Sequence, residues 1–489
     1  MNLVVVSNRL PFAVARNEGG SWTLEPGSGG LVRALRPVLQ NRGGRWIGWT
    51  GATQEDLPDA GELLGGSERE FGYRLIPVAL TTAEVEGFYN GFSNEIVWPL
   101  FHDMIDVCNF DPSYWATYEA VNQRFADVTA ENTRPGDFIW VHDYHLMRLG
   151  GALRERRLTN RIALFLHIPF PPLDMFLKLP WRFQVLRSLL QYDLIGFQTV
   201  RDRRNFTQCL RLLLREARIE GKGAVWKVEG FGRTVRVGAF PISIDIREFE
   251  QLSARPEVRE KIRSLREDES GRTIILGVDR LDYTKGIPQK LKAFRNLLTR
   301  FPEHRGKVTL FQVVVPSRED VSSYRDHKVA LERLVGQING QFTTSGWVPI
   351  HYLYRTLEGP RLPAYYGAAD IALVTPLKDG MNLVAKEYCA SRVDDDGVLV
   401  LSEFAGAAAQ LQRGAFLVNP FDEDGVADAL HAAIGLPAED RAFRMRRLRR
   451  AIRESDIYRW LDTFLEAAVA RELADFPRVE DYLPESVIR

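Results

Sequence analysis

The sequence predicts an α/β protein built from two doubly wound, Rossmann-like parallel-sheet domains facing across a cleft, on three observations. Short apolar, β-branched runs alternate with helix-forming stretches along the chain. That alternation runs once from Leu3 and restarts after the charged helical stretch Arg259 to Asp268. Many of the runs end in loops rich in glycine, proline or charge, which is where open parallel sheets bind ligands. The 489 residues are 45% hydrophobic and 26% charged, a globular composition on a chain too long for one core. The domain boundary is expected near Ser243 to Arg255, dividing 1–245 from 246–454.

Charge and cysteine usage narrow the function classes. Lys plus Arg and Asp plus Glu are both 64, so no basic field exists to attract nucleic acid or an anionic membrane. An anionic ligand must therefore be held by a few placed cations. Cys108, Cys209 and Cys389 are far apart and odd in number, which predicts reduced thiols. No apolar run has the length of a membrane span, and MNLVVVSNRL has neither a basic leader nor a long enough apolar run for a signal peptide. A cytoplasmic protein is expected. The sequence leaves a homo-oligomer open.

In the first half, Leu3 to Val6 reads as a buried strand closed by Ser7-Asn8-Arg9. Gly29 and Gly30 precede a helical pattern, Leu31 to Leu39, an arrangement that suits an anion as well as an ordinary turn. Trp46 to Trp49 reads as the second strand. Phe88 to Asp103 is dense in aromatics and amides. It reads either as a helix with an aromatic core face or, through Tyr89 and Trp98, as a sugar pocket. Asp137 to Val141 is a strand ending in His142-Asp143-Tyr144-His145. The two histidines lack the spacing of a helical zinc pair, so no metal is expected. Arg161 to Leu166 ends in His167 and a rigid proline loop. Asp193 to Phe197 is a further strand, with a helix expected over Asp202 to Arg218, and Val235 to Phe240 closes the domain.

In the second half, Thr273 to Val278 is a strand followed by Arg280 and Lys285 on one strand-to-helix loop. A guanidinium fork and an ammonium point charge together suit a pyrophosphate, although a solvated basic loop would look alike. Val308 to Val315 is the next strand, ending in Pro316-Ser317-Arg318. Ile371 to Val374 is a short buried strand, and Leu383 to Ala390 follows as a helix. Asp379, Gly380 and Asn382 thus stand where a strand ends and a helix begins. A helix start offers amide donors and partial positive charge. Asp379 can accept from sugar hydroxyls, and Glu387 from a ribose diol. A plain strand–loop–helix with solvated acids has the same pattern. So would a two-domain binding protein or a dehydrogenase, though the dehydrogenase glycine fingerprint is missing.

Eight segments together resemble the trehalose-6-phosphate synthases: SNR near the start, FYNGFSNEIVWPLFH, WVHDYHL, HIPFP, GFQT, DRLDYTKGIP, QVVVPSR and TPLKDGMNLVAKEY. These are retaining glycosyltransferases of family 20 with the GT-B fold. The resemblance spans essentially the whole chain and implies that the C-terminal helix, within 455–489, rejoins the first domain. It also implies glucose transfer from a nucleotide sugar, usually UDP-glucose, to glucose 6-phosphate, without a metal or other cofactor. By the same resemblance, Gly29 and Gly30 lie against the donor, and Arg280 and Lys285 hold its diphosphate. Glu387 takes the ribose, with Leu383, Val384, Ala385 and Lys386 along the nucleotide. Asp379 and His167 touch the donor glucose, and Arg9, Tyr89, Trp98, Asp143 and Arg318 form the acceptor pocket. Leu357 occupies a base-side position where the family often has Phe, which leaves the base open.

The residues agree chemically with that implication. An anionic leaving group needs charge stabilisation, which two cations and a helix start can supply. No carboxylate pair marks a glycosidase. A relative with another acceptor, such as a glucosylglycerol-phosphate or validoxylamine-phosphate synthase, should diverge in SNR, FYN and WPLFH. A non-catalytic metabolite sensor should have lost Arg280, Lys285 or Asp379. All of these are present.

Overall fold

The computed structural model describes the chain apart from residues 1, 17–21, 27–31, 33–34, 37–38, 41–42, 58–59, 222, 318–320, 358, 471–475, 478, 483 and 485–489. The chain divides into two compact units, residues 1–241 with 460–479, and residues 242–459 with 480–489. The first crossing thus falls at 241/242 where 245/246 was expected. The return falls inside the last helix, Ile457–Val469, and not at 455.

The strands of the first unit are β1 (Leu3–Arg9), β2 (Phe12–Arg16), β3 (Trp22–Pro26), β4 (Arg45–Trp49), β5 (Arg74–Pro77), β6 (Phe138–His142), β7 (Arg161–Phe165), β8 (Leu194–Phe197), β9 (Arg218–Glu220), β10 (Val225–Gly230) and β11 (Arg233–Ala239). Nine of them form one sheet in the order β5-β4-β1-β6-β7-β8-β11-β10-β9. It is parallel from β5 to β11, and β10 adds an antiparallel meander. β2 and β3 pair as a separate hairpin. The strand order reverses between β1 and β6, which makes the gap beyond their carboxyl ends the switch point of this sheet.

The second unit contains β12 (Thr273–Arg280), β13 (Val308–Val315), β14 (Ile350–Tyr354), β15 (Ile371–Val374), β16 (Val398–Ser402) and β17 (Phe416–Val418). They form an all-parallel sheet in the order β14-β13-β12-β15-β16-β17. Strands covered on both faces read as continuous apolar runs, and β15 and β16 are buried at every position. Ile275, Leu310, Leu373 and Val400 from the sheet share one core with Leu291, Phe294, Leu297 and Leu430 from the covering helices. Here the order reverses between β12 and β15.

Three segments depart from the sequence expectation. Trp46 to Trp49 lies in the fourth strand, because a hairpin precedes it. The helix expected to reach Arg218 is Val200–Leu213 and ends without a glycine or proline. Leu214 N–H closes on Leu210 at 2.9 Å, and Arg218 opens an edge strand. Val85–Val97 is a 13-residue π-helix, a rare form found disproportionately at functional sites. It lies close against the helix Pro112–Glu131: a Cβ on Gly87 would sit 2.7 Å from Thr117 Oγ1, and one on Gly91 2.6 Å from the Tyr114 ring.

Candidate active site

At the switch point of the second sheet, β12 delivers Arg280 at its last position, and the following turn delivers Lys285. Gly286 then takes φ +64°, and a Cβ there would meet the Thr375 carbonyl at 2.5 Å. Glycine is therefore needed to bring this turn against the end of β15. Lys285 Nζ donates to Asp379 Oδ2 at 2.6 Å, and Asn382 Nδ2 donates to the same oxygen at 3.2 Å. Lys285 and Asp379 keep 11% and 14% of their side-chain surface. Arg280 Nη2 stands 3.9 Å from the buried Asp282 carboxylate and leaves 48% of its side chain exposed. The two cations and Asp379 thus come from the two strands that flank the reversal.

Asn382 begins the helix Leu383–Ser391. It holds φ 76°, and its Oδ1 accepts from Ala385 N–H at 3.3 Å. Asparagine tolerates this left-handed conformation better than most residues. The cap uses one first-turn amide and leaves those of Leu383 and Val384 to point beyond the helix start, with the positive end of the helix dipole. Gly406 locks the loop from the other side, since a Cβ on it would lie 1.9 Å from the Gly380 carbonyl. Glu387 accepts from the Tyr366 hydroxyl at 2.8 Å, which fixes one of its oxygens.

Lys386 behaves differently from its neighbours. Its ammonium is buried and donates to the Ile242 carbonyl at 2.8 Å and to Gln410 Oε1 at 2.6 Å. Burial pushes its pKa down to about 7. Its side chain therefore points into the interior, and only its backbone lies along the helix start. Leu357, in the loop after β14, is buried.

The switch point of the first sheet gathers a second set. Arg9 ends β1 with its guanidinium 4.0 Å above the Trp49 ring and 5.4 Å from the Tyr89 ring. Among the described residues it makes no ion pair with a carboxylate. Gly51, at φ +98°, makes room for it, because a Cβ there would sit 2.0 Å from Arg9 Nη1. Tyr89 also stacks on His145, centroids 5.9 Å apart and 13° from parallel. Trp98 is buried against His102 and Tyr144.

Asp143, directly after β6, has φ 73° and ψ 173°. That region is nearly restricted to glycine, and an aspartate held there stores strain of about 1–3 kcal/mol. Its Oδ1 accepts from His167 N–H at 3.1 Å. The His167 ring meets His142, Nε2 to Nδ1, at 3.1 Å, and Gln198 Nε2 approaches its Nδ1 at 3.4 Å. Burial lowers the His167 pKa to about 3 and holds His142 well below its ordinary value, so both rings are neutral near pH 7. A histidine held neutral in this way is not a general acid near pH 7.

Gly29, Gly30 and Arg318 lie outside the described residues. Arg280, Lys285, Asp379, Asn382 and the start of the Glu387 helix converge at one switch point. Arg9, Tyr89, Asp143 and His167 collect around the other. Sequence reasoning missed Trp49 as the platform under Arg9 and Tyr366 as the partner of Glu387. Nothing in the local sequence of either residue marks it for that contact, since each comes from another element. His142 and His145 belong to no three-residue metal-capable group; among the described residues the one such group is Glu303, His304 and His431.

A sequence model described as glycosyltransferase family 20 matches residues 1–470. The trehalose-6-phosphate synthase of Mycobacterium avium strain 104 is 44% identical over 471 residues, 95% of each chain. That of Mycobacterium tuberculosis CDC 1551 is 42% identical over 473 residues, 95% of this chain and 94% of the relative. A Burkholderia xenovorans alpha,alpha-trehalose-phosphate synthase (UDP-forming), solved in complex with glucose-6-phosphate, superposes with TM-score 0.85 at 35% identity, covering 96% of this chain and all of that one. The E. coli enzyme bound with UDP-2-fluoro glucose superposes with TM-score 0.85 at 36% identity, covering 96% and 99%.

Proposed function

The chain belongs to glycosyltransferase family 20, and from that premise we propose that it transfers glucose, with retention, from UDP-glucose to glucose 6-phosphate, giving trehalose 6-phosphate and UDP. The observation that carries this reading is the convergence of Arg280, Lys285 and Asp379 with a helix N-terminus at the reversal between β12 and β15. In this reading Arg280 and Lys285 take the donor diphosphate as two fixed cations. Leu383 and Val384 amides supply further donors to phosphate, and Glu387 accepts from the ribose. Asp379, bound to Lys285 and Asn382, accepts from sugar hydroxyls. Leu357 lies on the base side, and Gly29 and Gly30 against the donor. Arg9, Tyr89, Trp98, Asp143 and Arg318 take the acceptor, with the arginines on its phosphate. His167, held neutral, contacts the donor glucose.

The chemistry follows from the leaving group. The bond from glucose C1 to the diphosphate oxygen breaks, and negative charge grows on that oxygen. Cations already fixed in place stabilise it without reorganising. The acceptor anomeric hydroxyl attacks C1 on the face that the diphosphate leaves, so configuration is retained. Its proton passes to the departing phosphate oxygen. Catalysis then rests on positioning and on charge at the diphosphate, and needs no metal. A panel of UDP-, ADP- and GDP-glucose with glucose 6-phosphate, read by mass, tests this. UDP-glucose should give the disaccharide phosphate fastest; a clear preference for another nucleotide would overturn the donor assignment.

A further inference from the structure

We infer that Glu303, His304 and His431 form a site for one borderline divalent cation of the Zn²⁺ class, which staples two elements of the second unit. Their ligand atoms lie within 4.8 Å of one another. His304 Nε2 and His431 Nδ1 face each other at 2.8 Å. His304 is 8% exposed, Glu303 is exposed, and His431 is half-buried. Two imidazoles and one carboxylate are the donor set that zinc takes readily, with a fourth position left to water.

The rings are held before any ion arrives. His431 lies flat on Phe301, centroids 4.0 Å apart and 7° from parallel. His304 ends the short 3₁₀ turn Pro302–His304, and its N–H donates to the Phe301 carbonyl at 3.1 Å. Around a tetrahedral zinc, ligand nitrogens stand about 3.3 Å apart. The pair must therefore open by roughly half an ångström. The proton now shared between the two facing nitrogens must move to the far nitrogen of its ring.

The position gives the site a structural role. Glu303 and His304 lie in the connection from the helix Ile287–Arg300 to the start of β13. His431 lies in the last turn of the helix Glu423–Ile434. All three sit at the amino-terminal edge of the parallel sheet, the opposite edge from Arg280 and Asp379. Arg300 already joins the same two helices through Asp428 at 2.7 Å. An ion would add a second, stronger clamp there without touching the candidate active site.

The test uses tag-free full-length protein, stripped with EDTA and titrated with ZnCl₂ by calorimetry and thermal unfolding. We expect one equivalent bound at micromolar affinity or tighter and a rise in Tm of a few degrees. His431→Ala should weaken binding about tenfold or more and abolish the rise. Glu303→Gln alters an exposed side chain that the fold does not need, and it should also weaken binding. Absence of stoichiometric zinc binding in the wild type, or binding that survives in both variants, would overturn the site.

Discussion

At the scale of single residues, the Lys285–Asp379 pair is the most informative contact. Lys285 is held by Asp379 before any ligand binds, so in the proposed reaction its value should appear in the chemical step. Lys285→Ala and Arg280→Ala should each lower kcat by about 10²-fold or more. Steady-state kinetics with varied donor checks this; a rise in donor KM at unchanged kcat would mean that the cations bind only the ground state. Asp143 makes a separate prediction, because its backbone is strained. Asp143→Gly should be more stable than Asp143→Ala by about 1–2 kcal/mol, while both lose most activity. Denaturant unfolding of the two variants decides it, and equal stabilities would mean that the strain is not real. The cations and acids of both sites were legible because their motifs fall at strand ends. The strain at Asp143 was not, because φ depends on how β6 meets the loop after β7. The inward turn of Lys386 was hidden for a similar reason. A lysine in a first helical turn reads as solvated, and the carbonyl that it binds lies at Ile242, far back in the chain.

At the scale of elements, the helix Leu383–Ser391 links the site to the interior through Lys386. An ammonium buried with only carbonyl partners costs stability while it is charged. Its folded pKa, about 7, lies below the ordinary 10.5. Between those values the unfolded chain holds the proton and the folded chain does not. The cost is therefore fully present below pH 7 and is relieved as pH rises toward 10.5. Lys386→Met should flatten that rise. Unfolding free energies of wild type and variant at pH 6.5, 8 and 9.5 check this, and parallel pH profiles would contradict it. The strands of the second sheet were legible as unbroken apolar runs, since both faces are covered. The small edge strands β9 and β17 were not, because three residues carry too little pattern. The π-helix escaped for another reason: its sequence is that of an aromatic helix, and its wide turn is set by packing against Thr117 and Tyr114.

At the scale of the whole molecule, both sheets reverse order beside their first strand, and each reversal collects the polar residues that the sequence marks. The doubling of the fold was legible from the restart of the alternation after Asp268. The crossing points were not legible to the residue, because the return lies inside one continuous helix. Among the described residues no helix is long and apolar enough to cross a membrane. The metal-capable group lies on the sheet edge remote from the site, so metal and catalysis should separate. EDTA should leave the transferase rate essentially unchanged while removing any zinc-dependent gain in Tm. Loss of turnover on chelation, restored by Mg²⁺ or Mn²⁺, would contradict catalysis by protein cations alone.

The proposed reaction combines retention of configuration on a phosphorylated glucose acceptor with charge stabilisation by Arg280 and Lys285. Its most direct measurement is NMR of the product formed from UDP-glucose and glucose 6-phosphate in EDTA, with UDP release followed in parallel. One disaccharide phosphate with both anomeric centres α, and one UDP per product, is expected. A β linkage at the transferred glucose, or UDP release with no disaccharide formed, would contradict it.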